Sequence, residues 1–195
     1  MWSIKKQVGF TLIEILVVTT IISILSAILY ANFTSARQDA RNKIMRTTLS
    51  EIQLALEVYR AQNGFYPLPA TTPAACYGSA PGLYTGINSG SCPTHRLYIT
   101  GLVPDFIASI PTAAELSRNS TCQIQYRVND NISPTAYKLT LVRCVEGVTG
   151  AANGVKQSDE FARCPSSCAA TGVCDPATNF FYESLATYSN GGQCY

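Results

Sequence analysis

The chain has 195 residues, of which 47% are hydrophobic and only 13% charged, with a formal net charge of +2. This balance excludes a solvated polyelectrolyte tail and supplies no basic field to attract nucleic acid. A single histidine, His95, and an even count of eight cysteines leave little room for acid–base or thiolate catalysis, so the chain reads as a non-enzyme without a cofactor.

Met1 to Val8 is a short leader with two lysines, Lys5 and Lys6, and no acid. From Ile15 to Ala36 there is no charged residue, and Phe10 to Ile13 lengthen the apolar run upstream. A helix of roughly 20 residues crosses a bilayer core of about 30 Å, so the segment 10–36 is long enough to span one. The run is too long for the core of an ordinary signal peptide, although small residues at Ala27 and Ala31 keep a conventional cut open. It also carries one carboxylate near its start, Glu14. A charge inside a spanning helix costs at least about 2.5–3.5 kcal/mol on insertion scales and marks a functional position. A purely local alternative is a helix-start acid favoured by the dipole, worth about 0.3–1 kcal/mol.

The string Lys5-Lys6-Gln7-Val8-Gly9-Phe10-Thr11-Leu12-Ile13-Glu14 resembles the prepilin-type processing site of type IV pilins and type II secretion pseudopilins. The resemblance implies a prepilin peptidase that cuts between Gly9 and Phe10 and methylates the new amino terminus of Phe10. It further implies that Glu14 pairs with the amino terminus of a neighbouring subunit during filament assembly. That role gives the carboxylate a reason, since a nearby opposite charge favours its ionised form. Partners would be the peptidase, copies of the chain and other pilin-like subunits, and membrane lipid. The family's fold is α+β, a long N-terminal membrane-spanning helix packed at its C-terminal half on a small antiparallel sheet domain with disulfide-tied loops. The chain then divides into a leader (1–9), a transmembrane helix (10–36), an amphipathic continuation (37–63) and an extracytoplasmic domain (64–195). It would sit in a bacterial inner membrane by a single pass, domain outside, before entering a filament. Members of the family often carry Gly and Pro within the membrane helix, where this chain has Ser23 and Ala31. A helix without proline keeps its hydrogen bonds and resists local melting.

With Lys5 and Lys6 removed, basic and acidic residues balance at 12 each, which suits a subunit that packs against its own copies. Arg37, Arg41, Lys43 and Arg46 follow the span closely, a placement that ordinarily favours the cytoplasmic side and opposes the cysteine-based topology. Met45, Leu49, Ile52, Leu56 and Tyr59 recur at helical spacing and form one apolar stripe. Asn63-Gly64 is a helix stop. Phe65-Tyr66 follow and fold back onto the stripe, and Ala55 to Pro67 also resembles the helix-to-loop junction of pseudopilins and pilins.

Tyr66 to Ser91 reads as an extended loop, and Leu102 to Ile110 as a short helix. Gln123–Asn129 and Ala136–Arg143 alternate like strands, with Asn129–Pro134 as their turn. Val145 to Asn179 is small-residue loop and Asn179 to Tyr188 a final strand. Pseudopilins carry an Asp-Pro-Trp-Gly string where this chain has Pro111-Thr112-Ala113-Ala114, so no calcium loop carries over. Asp159, Glu160 and Asp175 match no calcium-loop spacing and read as solvated.

All eight cysteines, Cys76, Cys92, Cys122, Cys144, Cys164, Cys168, Cys174 and Cys194, follow the apolar run. An even count on one side of a membrane reads as a disulfide framework in an oxidising compartment. Zinc at Cys164, Cys168 and Cys174 is the weaker alternative, since no paired C-x2-C and no nearby histidine accompanies them. Cys122 and Cys144 are equidistant from Ser133, inside the turn, and so should face each other about 4.5–5.5 Å apart and pair. Cys76–Cys92 is the next pair by adjacency. Cys164, Cys168, Cys174 and Cys194 allow three connectivities. Three functions remain open: a type IV pilin, a secretion pseudopilin, or a minor subunit that binds a surface or DNA.

Overall fold

A computed structural model describes residues 9–69, 84–87, 99–130, 132–169, 172–177 and 180–194. By its internal contacts the chain separates into Met1–Gln38 and Asp39–Tyr195. One helix, α1 (Leu12–Asn63), runs through both. No proline interrupts it. Asn63 Nδ2 donates to the Tyr59 carbonyl (2.9 Å), and the Gly64 N–H to the Arg60 carbonyl (2.7 Å). Gly64 takes φ +84°, a left-handed cap that a residue without Cβ adopts freely.

In the first unit the helix buries nothing. Its apolar side chains from Leu12 to Phe33 stand exposed, and by length and composition this stretch can cross a membrane.

In the second unit four strands, β1 (Tyr84–Ile87), β2 (Gln123–Val128), β3 (Tyr137–Val142) and β4 (Leu185–Tyr188), form one antiparallel sheet in chain order. β2 alternates strictly: Ile124, Tyr126 and Val128 are buried while Gln123, Gln125 and Arg127 are not. The buried set meets Leu141, Leu139 and Tyr137 of β3 in register, giving one apolar face. Met45, Leu49, Ile52, Ala55 and Leu56 of α1 complete that core. Burial of each such side chain contributes roughly 1.5–3 kcal/mol. Tyr66 is enclosed there, its ring edge-on to Tyr137 at 4.7 Å. Its hydroxyl donates to Glu57 (2.8 Å) and accepts from Arg60 (3.1 Å).

β3 is buried on both faces. Its second face, Lys138, Thr140 and Val142, lies under the C-terminal tail, where Ala162, Cys164, Cys168, Cys174 and Phe181 make a smaller core. The order is therefore helix, sheet, tail.

Three sequence expectations need correction. Leu102 to Ile110 is a run of turns rather than a helix. Nine residues are too few for a helix to stand on propensity alone, and burial of Leu102 and Ile110 sets the path instead. A single helical turn, α2 (Ala113–Leu116), follows, with Glu115 accepting the Thr112 N–H (2.9 Å). Secondly, β1 lies within the expected Tyr66–Ser91 loop; its four residues are too short a pattern to stand out. Thirdly, the final strand is only Leu185–Tyr188, because Phe181–Glu183 forms a 3-10 turn.

Candidate functional site

Of the N-terminal motif, Gly9 to Glu14 lie among the described residues. Gly9 and Phe10 are non-helical and exposed, Phe10 by 84%. A Cβ placed on Gly9 would meet nothing within 4 Å. Among the described residues nothing packs against that position in a way that calls for glycine.

Thr11 and Glu14 close on each other. The carboxylate of Glu14 accepts the Thr11 N–H (2.8 Å) and its hydroxyl (2.6 Å), and Thr11 Oγ1 accepts the Glu14 N–H (3.3 Å). This is a capping box, N-cap to N3, and it starts α1 at Leu12. The Thr-x-x-Glu spacing was the available signal for it, and reading Glu14 by charge alone missed it. The hydroxyls of Thr19, Thr20, Ser23 and Thr34 each donate to a carbonyl three or four residues back. Their polar atoms are thus satisfied within the helix, as a lipid environment requires. Ser23 and Ala31 both lie in unbroken α1.

Two of the four basic residues that follow the apolar run, Arg41 and Arg46, are matched by acids of the domain. Arg41 pairs with Glu146, which also accepts the Arg118 N–H (2.8 Å). Asn42 exchanges two hydrogen bonds with the Glu146 backbone. Arg46 binds both oxygens of Asp159 (2.7 and 2.8 Å). Arg37 lies 4.2 Å over the Phe33 ring. Burial raises the Glu146 carboxyl, but hydrogen bonds from Arg41 and the Arg118 N–H outweigh it and hold it below 4.5. At Asp159 the Arg46 hydrogen bond leads and likewise lowers the carboxyl.

Six cysteines fall among the described residues, all bonded: Cys122–Cys144, Cys164–Cys174 and Cys168–Cys194. Cys76, Cys92 and His95 lie outside the described residues. The Cys122 and Cys144 Cα atoms are 4.5 Å apart, yet the hairpin register is not the one derived from a centre at Ser133. Gln123 faces Val142, which sets Cys122 opposite Arg143. Arg143 has φ +57°, and this left-handed residue takes up the extra position, as in a bulge. Cys164, Cys168 and Cys174 cluster, but as disulfides their sulfurs offer no thiolate to zinc. Asp159 is engaged by Arg46, and Asp175 accepts the Ala177 N–H (2.9 Å).

Beneath this cluster lies Lys138, only 1% exposed. Its Nζ donates to the Gln193 carbonyl (2.9 Å) and lies 3.3 Å from Cys164 Sγ. Burial, then the Arg163 and Arg127 guanidiniums, push its ammonium down to about 7. Nothing in the alternation of β3 announces an enclosed lysine.

An apolar helix, long enough to cross a membrane and opened by a capping box beside a Gly–Phe junction, continues into a disulfide-tied antiparallel domain. Residues 4–30 match the prokaryotic N-terminal methylation motif. The type II secretion system core protein G of Vibrio cholerae is 33% identical over 67 residues, 34% of this chain and 46% of that protein. The type IV wide pilus major component PilA4 of Thermus thermophilus is 40% identical over 62 residues, 32% and 47% of the two chains. Core protein G of Pseudomonas aeruginosa is 36% identical over 63 residues, 32% and 44%. The chain thus spans about half the length of the curated relatives it matches, and no solved structure matches it. In its N-terminal third the chain is thus similar to type IV pilins and type II secretion pseudopilins, by motif and by relatives.

Proposed function

We propose that the chain is a structural subunit of an extracytoplasmic type IV pilus-like filament, cut between Gly9 and Phe10 and polymerised through α1. It would wait in a bacterial inner membrane with residues 64–195 outside. The observation that carries this reading is a group of exposed apolar side chains on α1, away from its buried stripe. In the domain part of the helix, Ile44, Leu54 and Val58 are 58%, 66% and 41% exposed. At about 100° per residue they lie roughly 140° round the helix from the buried stripe. Beside the exposed Thr47 and Glu51 of the same arc, these side chains offer a neighbouring helix mixed apolar and polar contact. In the first unit the exposed apolar side chains are met by lipid before assembly and by other helices after it.

Glu14 would exchange its Thr11 donors for the amino terminus of an adjacent subunit. Glu14→Leu tests this. Membrane insertion should be retained or improved, since a charge penalty disappears, while filaments sheared from cells should vanish. Glu14→Leu subunits that polymerise normally would refute the intersubunit role.

A secretion pseudopilus is the second reading, because two of the three relatives named above are secretion core proteins. Immunolabelling of sheared filaments separates the possibilities. A major pilin labels along the length and a minor, binding subunit sparsely or at the tip. A pseudopilin instead leaves surface filaments unlabelled, and its loss stops secretion.

A further inference from the structure

The two disulfides of the tail are closer than independent bridges need to be. Cys164 is bonded to Cys174 and Cys168 to Cys194, yet the sulfurs of Cys164, Cys168 and Cys174 all lie within 4.8 Å of one another. These three residues are buried, whereas Cys194 is exposed. One bridge therefore has a solvent-facing end, and its inner sulfur abuts an enclosed bridge. The Lys138 Nζ donates to one sulfur of that enclosed bridge, Cys164 Sγ, at 3.3 Å; burial weakens its charge, but a thiolate formed on that sulfur would hold it as the ammonium.

We infer that the tail is a disulfide relay: Cys194 is the site at which an external dithiol, free or on a thiol–disulfide oxidoreductase, forms a mixed disulfide, and the displaced Cys168 then re-pairs with Cys174. Both steps are exchanges and neither needs an oxidant. In the first, the external thiolate bonds to Cys194 Sγ, the Cys168–Cys194 bond breaks, and its electron pair leaves on Cys168. In the second, the Cys168 thiolate bonds to Cys174 Sγ, the Cys164–Cys174 bond breaks, and the pair leaves on Cys164. The direction follows from Lys138. An opposite charge within about 4–6 Å lowers a carboxyl's pKa by about 1–3 units, and the same attraction lowers that of a thiol. The sulfur of lower pKa is the better leaving group. Attack at Cys164 instead would expel Cys174 and forgo the cation beside Cys164. The outcome is a C-terminal segment untied from the domain while the 168–174 loop stays closed.

Disulfide mapping tests this without reference to filament assembly. Full-length Cys194→Ser reproduces the first step, leaving three cysteines for one bond. After acid quench, alkylation and non-reducing digestion, Cys168–Cys174 with alkylated Cys164 should be the main species. Adding Lys138→Met should lower the ratio of that isomer to Cys164–Cys174 by about tenfold or more. Should Cys194→Ser misfold, the wild-type chain treated with less than one equivalent of dithiothreitol gives the same reading. Cys194 and Cys164 should then be the first thiols labelled. An intact Cys164–Cys174 bond with Cys168 labelled would overturn the relay in either experiment, and an unchanged ratio in the Lys138→Met variant would overturn the role given to the lysine.

Discussion

Arg41→Leu is the substitution whose cost the structure specifies best. The Glu146 side chain is 7% exposed and that of Arg41 24%. Removing the guanidinium strips the carboxylate of donors from Nε (2.7 Å) and Nη2, leaving the Arg118 N–H at 2.8 Å and a long contact from Ser117 Oγ at 3.4 Å. Breaking a buried pair costs roughly 3–5 kcal/mol, and a hydrogen bond to a charged group is worth roughly 1.5–3 kcal/mol. Because Arg41 keeps a quarter of its side chain in water and two donors survive, the lower end applies, about 2–3 kcal/mol. For a unit of this size, at about 2–4 °C per kcal/mol, the melting midpoint should fall by about 4–12 °C. Near-ultraviolet circular dichroism of the full chain in mild detergent reads it through the buried tyrosines. In a Glu146→Gln background the same substitution should cost less than half as much. Equal losses in the two backgrounds, within about 0.5 kcal/mol, would refute the ion-pair account. Acid gives a second reading. The folded carboxyl titrates below its ordinary 4.5, so the pair's contribution is complete above the unfolded value and is lost as the pH falls through the lower folded one. The stability gap between wild type and Arg41→Leu should therefore shrink only below about pH 4.5.

Gly9→Val should block processing, because no neighbour among the described residues demands glycine there and the demand is then the peptidase's; mass spectrometry of the membrane fraction should find only precursor, and a mature Phe10 terminus would contradict this. Gly192→Ala should destabilise by roughly 1–3 kcal/mol, since its Cβ would lie 2.0 Å from the Tyr137 carbonyl oxygen; an unchanged thermal midpoint would show that the tail yields freely. Leu49→Ala, at the fully buried centre of the helix stripe, should cost about 2–5 kcal/mol, read as a lower urea midpoint with the slope unchanged.

What was legible in the sequence is what repeats locally. Met45, Leu49, Ile52 and Leu56 declare a buried helix face by spacing, and Gly64 declares its end. The β2–β3 hairpin shows in alternation around an Asn/Asp/Pro turn. The register was one residue off because it turns on a left-handed Arg143, and nothing in that residue type demands such a backbone. Alternation assigns Lys138 to the second face of β3, and no local pattern says that this face is covered. That face is covered only by a tail arriving from residues 161–194. The Arg41–Glu146 and Arg46–Asp159 pairs join residues more than a hundred positions apart, and no local pattern carries them. At the motif, Glu14 stood out by its charge, while its bond to Thr11 was spelled in a four-residue spacing that was passed over.

The short bridge between Ala162 and Leu185, with the Ala186 N–H donating to the Phe161 carbonyl (2.9 Å), bears on how such a chain avoids aggregating. β4 is an edge strand, and an edge offers unpaired backbone groups to any other strand that comes near. In the filament proposed above, subunits would meet that hazard continuously. Here residues 161–162 occupy the outer side of β4, and among the described residues the opposite edge, β1, has four. Sheet-to-sheet accretion between copies is thereby discouraged at both margins. In the assembly proposed above, such a chain could be sticky along its helix and still grow in one dimension, because its strands decline the competing invitation.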